Sequence, residues 1–114
     1  MPDCVFCKIA SGEIVSPRVY ENGHVFVIDD INPVSSVHAL IIAKKHISDI
    51  MAAGSESPEL YEGIFDAVRE TAKAKGVSEA GFRLITNCGE DGGQTVPHLH
   101  FHLIGGRRLG AKLV

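Results

Sequence analysis

His98-Leu99-His100-Phe101-His102-Leu103-Ile104 alternates imidazole with hydrocarbon, and a period of two is the signature of a half-buried β-strand. On an extended chain the three imidazoles fall on one face and Leu99, Phe101 and Leu103 on the other, with same-face neighbours roughly 7 Å apart. Histidine is the side chain whose ordinary pKa, about 6.5, lets it give or take a proton near neutrality. The apolar face predicts a strand packed on another layer; the imidazole face predicts chemistry.

Working outward, Gly89-Glu90-Asp91-Gly92-Gly93 forms a turn that joins this strand to an earlier one at Phe82 to Asn87. Before it stands a long helix: Ser57 is a suitable N-cap, Pro58 suits the first helical position, and Glu59 complements the helix dipole. Leu60, Ile64 and Val68, with Tyr61, Phe65 and Ala72, recur at helical spacing, and Gly76 is placed to close the helix. Further upstream, His38 to Ala43 reads as a strand buried on both faces and His24 to Asp29 as its neighbour. Arg18-Val19-Tyr20 reads as a short first strand, joined by Asn22-Gly23, a strong hairpin signal. Residues 4–10 read as a short helix closed by Ser11-Gly12. The order predicts an α+β fold: a largely antiparallel sheet with one long helix on its apolar face and the histidine face left for a ligand.

The chain has 114 residues, 45% of them hydrophobic and 22% charged, which suits a single domain spanning residues 1–114. Its longest apolar stretch, Ala39 to Ala43, is far too short to cross a bilayer. Met1-Pro2-Asp3-Cys4 carries no basic flank or apolar segment of the secretory kind, so no membrane association is expected. A formal charge of -3 argues against broad nucleic-acid binding, while leaving room for a phosphate-bearing small molecule held by local donors. An odd number of cysteines, Cys4, Cys7 and Cys88, points to reduced thiols and a cytoplasmic setting.

Three imidazoles on one strand suit metal ligation, general acid–base catalysis, or nucleophilic attack by one with support from its neighbours. No carboxylate stands beside them in sequence, whereas Gly92-Gly93-Gln94-Thr95 just upstream offers backbone and side-chain donors of the kind that hold phosphate. Phosphate donors next to a nucleophile make one coherent site. The Cys4-x-x-Cys7 pair is equally at home in a redox pair, a zinc site or chance. His24 and His38 read as structural, and Arg107 and Arg108 as a solvated tail.

The run from His98 to Ile104 matches the His-φ-His-φ-His-φ-φ motif (φ apolar) of the histidine triad family of nucleotide-binding proteins. The chain resembles the Hint branch of that family, the nucleoside phosphoramidases, along nearly its whole length. Val5-Phe6-Cys7-Lys8-Ile9, Asp30-Ile31, Lys44-Lys45-His46-Ile47, Asn87 and Gly92-Gly93-Gln94-Thr95 match as well. The resemblance implies a five-stranded antiparallel sheet with one long helix and a short N-terminal helix, paired with a second sheet in a homodimer. It implies a hydrolase of purine nucleoside phosphoramidates that needs no cofactor for catalysis. His100 would be the nucleophile, His102 a phosphate donor, His98 an orienting or leaving-group residue, and His46 a support to the cluster. Asp30 would accept from ribose hydroxyls. Ile31, Val5, Phe6 and Ile9 would line the base pocket, and Asn87, Gly93, Gln94 and Thr95 would contact ribose and phosphate. Family members often carry Ser where Thr95 stands, and the hydroxyl is kept.

Bacterial relatives with the cysteine pair hold a zinc ion, which implies a closed site of Cys4, Cys7, His46 and His98 here. Such a site would restrict His46 and His98 to orienting His100. Two other activities are compatible with the motif: hydrolysis of dinucleoside polyphosphates, and nucleotide sensing by an interaction protein in which hydrolysis is incidental.

Overall fold

The computed structural model describes residues 4–112; the N-terminal reading of Met1 to Asp3 lies outside them. The elements run α1 (Val5–Ser11), β1 (Tyr20–Glu21), β2 (Val25–Asp29), β3 (Val37–Ala43), α2 (Pro58–Ala74), β4 (Phe82–Ile85) and β5 (His100–Gly105). The strands form one sheet in the order β1-β2-β3-β5-β4 with every neighbouring pair antiparallel. The fold is therefore the expected α+β sheet with one long and one short helix. No helix among the described residues is long and apolar enough to cross a membrane.

Leu99, Phe101 and Leu103 face α2, and Val25, Val27, Ala39 and Ile41 from β2 and β3 join them in the larger core. From the helix come Leu60, Ile64, Ala67, Val68 and Ala72, the large ones contributing about 1.5–3 kcal/mol each by leaving water. Phe65, expected on this face, is instead 50% exposed. Gly63 and Ala67 take the inner positions because the helix lies close to the sheet: a Cβ on Gly63 would come 3.0 Å from His24 Cβ. The helix closes as a Schellman motif, Val77 N–H donating to Ala72 O and Gly76 N–H to Lys73 O, with Gly76 at φ 72°. Ser57 occupies the N-cap position, although its hydroxyl makes no capping bond.

On the opposite sheet face, Phe6 and Ile9 of α1 pack against Phe26, Ile28, Leu40 and Ile42. Arg18 anchors α1 by donating to the Ile9 carbonyl at 2.9 Å while its guanidinium lies over the Phe26 ring. The β1–β2 hairpin forms where expected. Asn22 shapes it with its side chain, whose Oδ1 accepts the N–H groups of His24 and Val25 while Nδ2 donates to Gly63 O.

β2 and β3 each start one residue from the sequence reading, at Val25 and Val37, and three strands differ by more. β1 is confined to Tyr20–Glu21. β4 stops at Ile85, because Thr86 turns its hydroxyl onto the His100 carbonyl at 2.8 Å. β5 begins at His100, so His98 precedes it, held where Leu99 N–H donates to Ile47 O at 2.6 Å.

Candidate active site and metal centre

The register sets the site. His100 pairs with Ile42, His102 with Leu40, and Ile104 with His38, which puts the imidazoles of β5 and His38 of β3 on one sheet face. That face is not open along its whole length. Phe6 of α1 presents its ring edge-on to His98 and His100, with centroids 5.8 and 5.0 Å apart. His98 is 0% and His100 7% exposed, and the row becomes accessible towards half-buried His102.

His100 Nδ1 lies 2.6 Å from the main-chain carbonyl of His98, an acceptor only, so Nδ1 carries the hydrogen and the lone pair of the neutral ring is on Nε2. A single short bond thus sets both the orientation and the tautomer of the central imidazole.

His102 is organised by residues from other strands. Its Nδ1 is 2.9 Å from His38 Nε2, and that nitrogen is 3.3 Å from Asp30 Oδ2. Val34 N–H donates to His38 Nδ1 at 3.1 Å, so neutral His38 carries its hydrogen on Nε2 and offers it to His102 Nδ1 and Asp30 together. His102 then bears its own hydrogen on Nε2. Burial, reinforced by nearby His100 and His38, holds His102 below the usual histidine range, with Asp30 opposing the shift.

His38 is the site residue that the sequence reading passed over as structural; its signal was a lone polar side chain inside an otherwise apolar strand. The missing carboxylate is found too, since Asp30, remote from the triad in sequence, reaches it through His38. Asp30 also acts as a turn former, accepting from Asn32 N–H at 2.8 Å. His24 is exposed and stays outside the site.

Beside His100, Cys4, Cys7, His46 and His98 bring two sulfurs and two imidazole nitrogens within 4.8 Å of one another. Cys4 Sγ is 3.2 Å from His98 Nδ1, and Cys7 Sγ is 3.1 Å from His46 Nδ1. The spacing is close to the about 3.3–3.8 Å between ligand atoms of a tetrahedral zinc. His98 Nε2 donates to Ala43 O at 2.6 Å, which turns the Nδ1 lone pair to the sulfurs in the way metal-bound histidines are held. Burial and neighbouring Cys4 push the Cys7 thiol up to about 11, and burial holds His98 below the usual histidine range. The donor set fits a soft divalent ion.

Asp30, His38 and His102 form a second cluster of comparable tightness among the described residues. Its hydrogen bonding is of the opposite kind, because the Val34 N–H obliges His38 to keep a hydrogen on the nitrogen that faces the cluster. This cluster holds a proton where the other offers lone pairs.

The upstream turn is held by its own bonds. Gly93 N–H donates to Glu90 O and Gln94 N–H to Gly89 O. Gln94 Nε2 donates to Ser48 O and Val96 O, and Asn87 Nδ2 to Gly92 O at 2.7 Å. The donors expected to face phosphate on Asn87, Gly93 and Gln94 are thus engaged by carbonyls of the turn and of Ser48 and Val96, while Thr95 is exposed. Gly92 is required by proximity, since a Cβ there would sit 2.4 Å from Cys88 O. Of the residues expected around a base, Phe6 and Ile9 are buried, whereas Val5 is partly exposed and Ile31 is 92% exposed.

A family model described as the HIT domain matches residues 11–109. The chain is 43% identical over 113 residues to a 13.2 kDa HIT-like protein of Azospirillum brasilense, covering 98% of this chain and 93% of that one. It is 42% identical over 105 residues to protein HitA of Neisseria gonorrhoeae, covering 92% and 97%. Among solved structures, a HIT family hydrolase from Clostridium thermocellum superposes with a TM-score of 0.94 at 44% identity over 100% of this chain and 99% of that one. A histidine triad protein from Clostridium difficile does so with 0.91 at 42% identity over 98% and 97%.

Proposed function

The chain belongs to the HIT domain family, and from that premise we propose that it is a nucleotide-binding hydrolase of the Hint branch. It cleaves the P–N bond of purine nucleoside phosphoramidates of the adenosine 5′-monophosphoramidate type. The observation that carries this reading is the His100–His98 hydrogen bond, which leaves His100 Nε2 as an oriented lone pair.

In this reading Nε2 attacks the α-phosphorus, the P–N bond breaks, and the amine departs with a proton taken from solvent, which the water of the second step returns. Water then displaces the imidazole from the nucleotidyl-histidine and releases AMP, so one hard displacement becomes two easier ones. His102 Nε2–H donates to the non-bridging oxygens as charge spreads over the phosphoryl group. His98 has both ring nitrogens engaged, so it serves His100 through its carbonyl rather than through its ring. Asp30 accepts from the ribose hydroxyls. Val5 and Ile31, with Phe6 and Ile9 beneath, bound the base side, and Asn87, Gly93, Gln94 and Thr95 bound the phosphate side.

The same proposal includes a structural zinc on Cys4, Cys7, His46 and His98, which when bound ties the N-terminal segment to the active strand and supplies no catalytic step. It includes a reducing, cytoplasmic setting, in keeping with three free thiols. It also includes a homodimer. The sheet ends at β4, an edge with open hydrogen-bonding groups, and Phe82 there and Phe65 on α2 are large exposed side chains. Sedimentation as a stable monomer of 12.2 kDa at micromolar concentration would overturn the dimer.

The test of function is parallel turnover of an adenosine phosphoramidate and a dinucleoside polyphosphate, with AMP binding followed by calorimetry. Phosphoramidate turnover through a trappable adenylyl-His100 is the expected result. Faster cleavage of the dinucleotide reassigns the substrate, and AMP binding without turnover of either makes the protein a sensor.

A further inference from the structure

We infer that Gln94 is a positioning residue: it braces the phosphate-side turn and holds the donors of Thr95 in fixed relation to the histidine strand, without touching the nucleotide itself. The inference rests on the nucleotide reading above and gives Gln94 a different role from the phosphate contact expected of its side chain.

A primary amide has two hydrogens to give and an oxygen that only accepts. Both hydrogens of Gln94 Nε2 are given, to Ser48 O at 2.7 Å and to Val96 O at 3.0 Å, and Oε1 accepts the Gly89 N–H at 3.0 Å. No hydrogen remains for a phosphate oxygen, and the second lone pair of Oε1 repels one.

The three partners lie on three different segments. Gln94 main-chain N–H donates to Gly89 O at 3.1 Å, so Gly89 is gripped at both its N–H and its carbonyl and the turn is closed on itself. Ser48 follows Ile47, whose carbonyl receives Leu99 N–H at 2.6 Å. Val96 O also accepts His98 N–H at 2.8 Å, Pro97 between them has a fixed φ, and the Val96 side chain packs against the cluster around Phe6. One amide thus joins the turn, the segment after His46 and the entry to the histidine strand.

Thr95 stands between the two braced points. It is exposed, and among the described residues neither its N–H nor its hydroxyl bonds to another protein group. With Gln94 tied to Gly89, and Val96 tied to Gln94 and His98, both Thr95 donors are held in place yet free for a phosphoryl oxygen. Misplacing such a group by about 1 Å costs on the order of a hundredfold in rate, so the brace acts on turnover through Thr95.

The experiment is NMR spectroscopy of the full chain, free and with AMP, with occupancy followed by calorimetry and phosphoramidate turnover measured alongside. Couplings across the hydrogen bonds from Gln94 Nε2 to the Ser48 and Val96 carbonyl carbons are expected in both states, while the Thr95 amide shifts on binding. In Gln94→Ala the AMP-induced shift of Thr95 should fall by about half or more. Its kcat should drop about tenfold to a hundredfold, with AMP affinity changed less than about threefold. Gln94→Glu keeps the shape and the acceptor but lacks both hydrogens, so it should show the same losses, and it decides the question if Gln94→Ala does not fold. Loss of either coupling when AMP binds makes Gln94 a direct contact and overturns the brace, as does turnover in both variants within about twofold of the unsubstituted protein. Absence of AMP binding and of turnover overturns the nucleotide reading instead. The couplings in the free protein, and the Thr95 amide compared between it and Gln94→Ala, then still decide the brace.

Discussion

His98 and His100 are joined by a 2.6 Å hydrogen bond from the central imidazole to the main-chain carbonyl two residues before it. Because His98 is itself wedged between Cys4 and the Ala43 carbonyl, the central imidazole is aimed by a residue that has no freedom to move. The cluster of Cys4, Cys7, His46 and His98 and the candidate nucleophile are thus consecutive links of one chain of contacts.

His100→Ala is expected to lower phosphoramidate turnover by at least about a thousandfold, as loss of a covalent nucleophile does. AMP affinity should change only a few-fold, since Asp30 and the base-side residues remain. Steady-state kinetics and calorimetry check this, and turnover within tenfold of the unsubstituted protein would remove His100 from the covalent step.

Protein purified without a histidine tag should carry about one zinc per chain, by elemental analysis. Cys4→Ser should lose it and lower the thermal midpoint by about 4 °C or more. Acidification should release the metal, because protons compete for thiolate and imidazole lone pairs. Metal-free protein with an unchanged midpoint in Cys4→Ser would reduce the pair to two thiols.

Burial depresses the His102 pKa, so between that value and the ordinary histidine pKa of about 6.5 the unfolded chain binds the proton and the folded one does not. Stability is therefore highest above the unfolded pKa and falls as pH drops through the folded one. Urea unfolding followed from pH 7.5 downward should show this loss, and His102→Gln should flatten the slope over that window. Glu21, held below the usual carboxylate range chiefly by Lys44, adds a separate loss at lower pH by the same sign.

Gly92→Ala and Gly93→Ala should differ. At Gly92 the new methyl meets a backbone carbonyl, so the turn must move, at a cost of about 1–3 kcal/mol and with reduced turnover. At Gly93 no atom lies within 4 Å and the cost is that of a left-handed backbone at φ +75°, about 1 kcal/mol. Paired denaturation curves and kcat/KM values measure both, and a larger effect at Gly93 on either scale would contradict the crowding argument.

Periodicity made much of this molecule legible in advance. The alternation from His98 to Leu103 determined which side chains face α2, because strand geometry sends successive residues to opposite faces whatever surrounds them. Ser57-Pro58 and Gly76 likewise bracketed α2, since caps act within a single turn. Phe65 escaped the reading because the width of a buried stripe depends on how near the sheet lies, and Gly63 draws it close. His38 escaped it as well. A histidine inside an apolar strand becomes a partner of His102 only once β3 pairs with β5 in one register, and Asp30 arrives only because β2 pairs with β3 in another. Local pattern determined the elements, their faces and the identity of the central imidazole row. The tautomers of His98 and His102 were decided by tertiary structure, because each depends on a carbonyl, a sulfur or an N–H brought from elsewhere in the chain, whereas that of His100 rests on the carbonyl two residues before it.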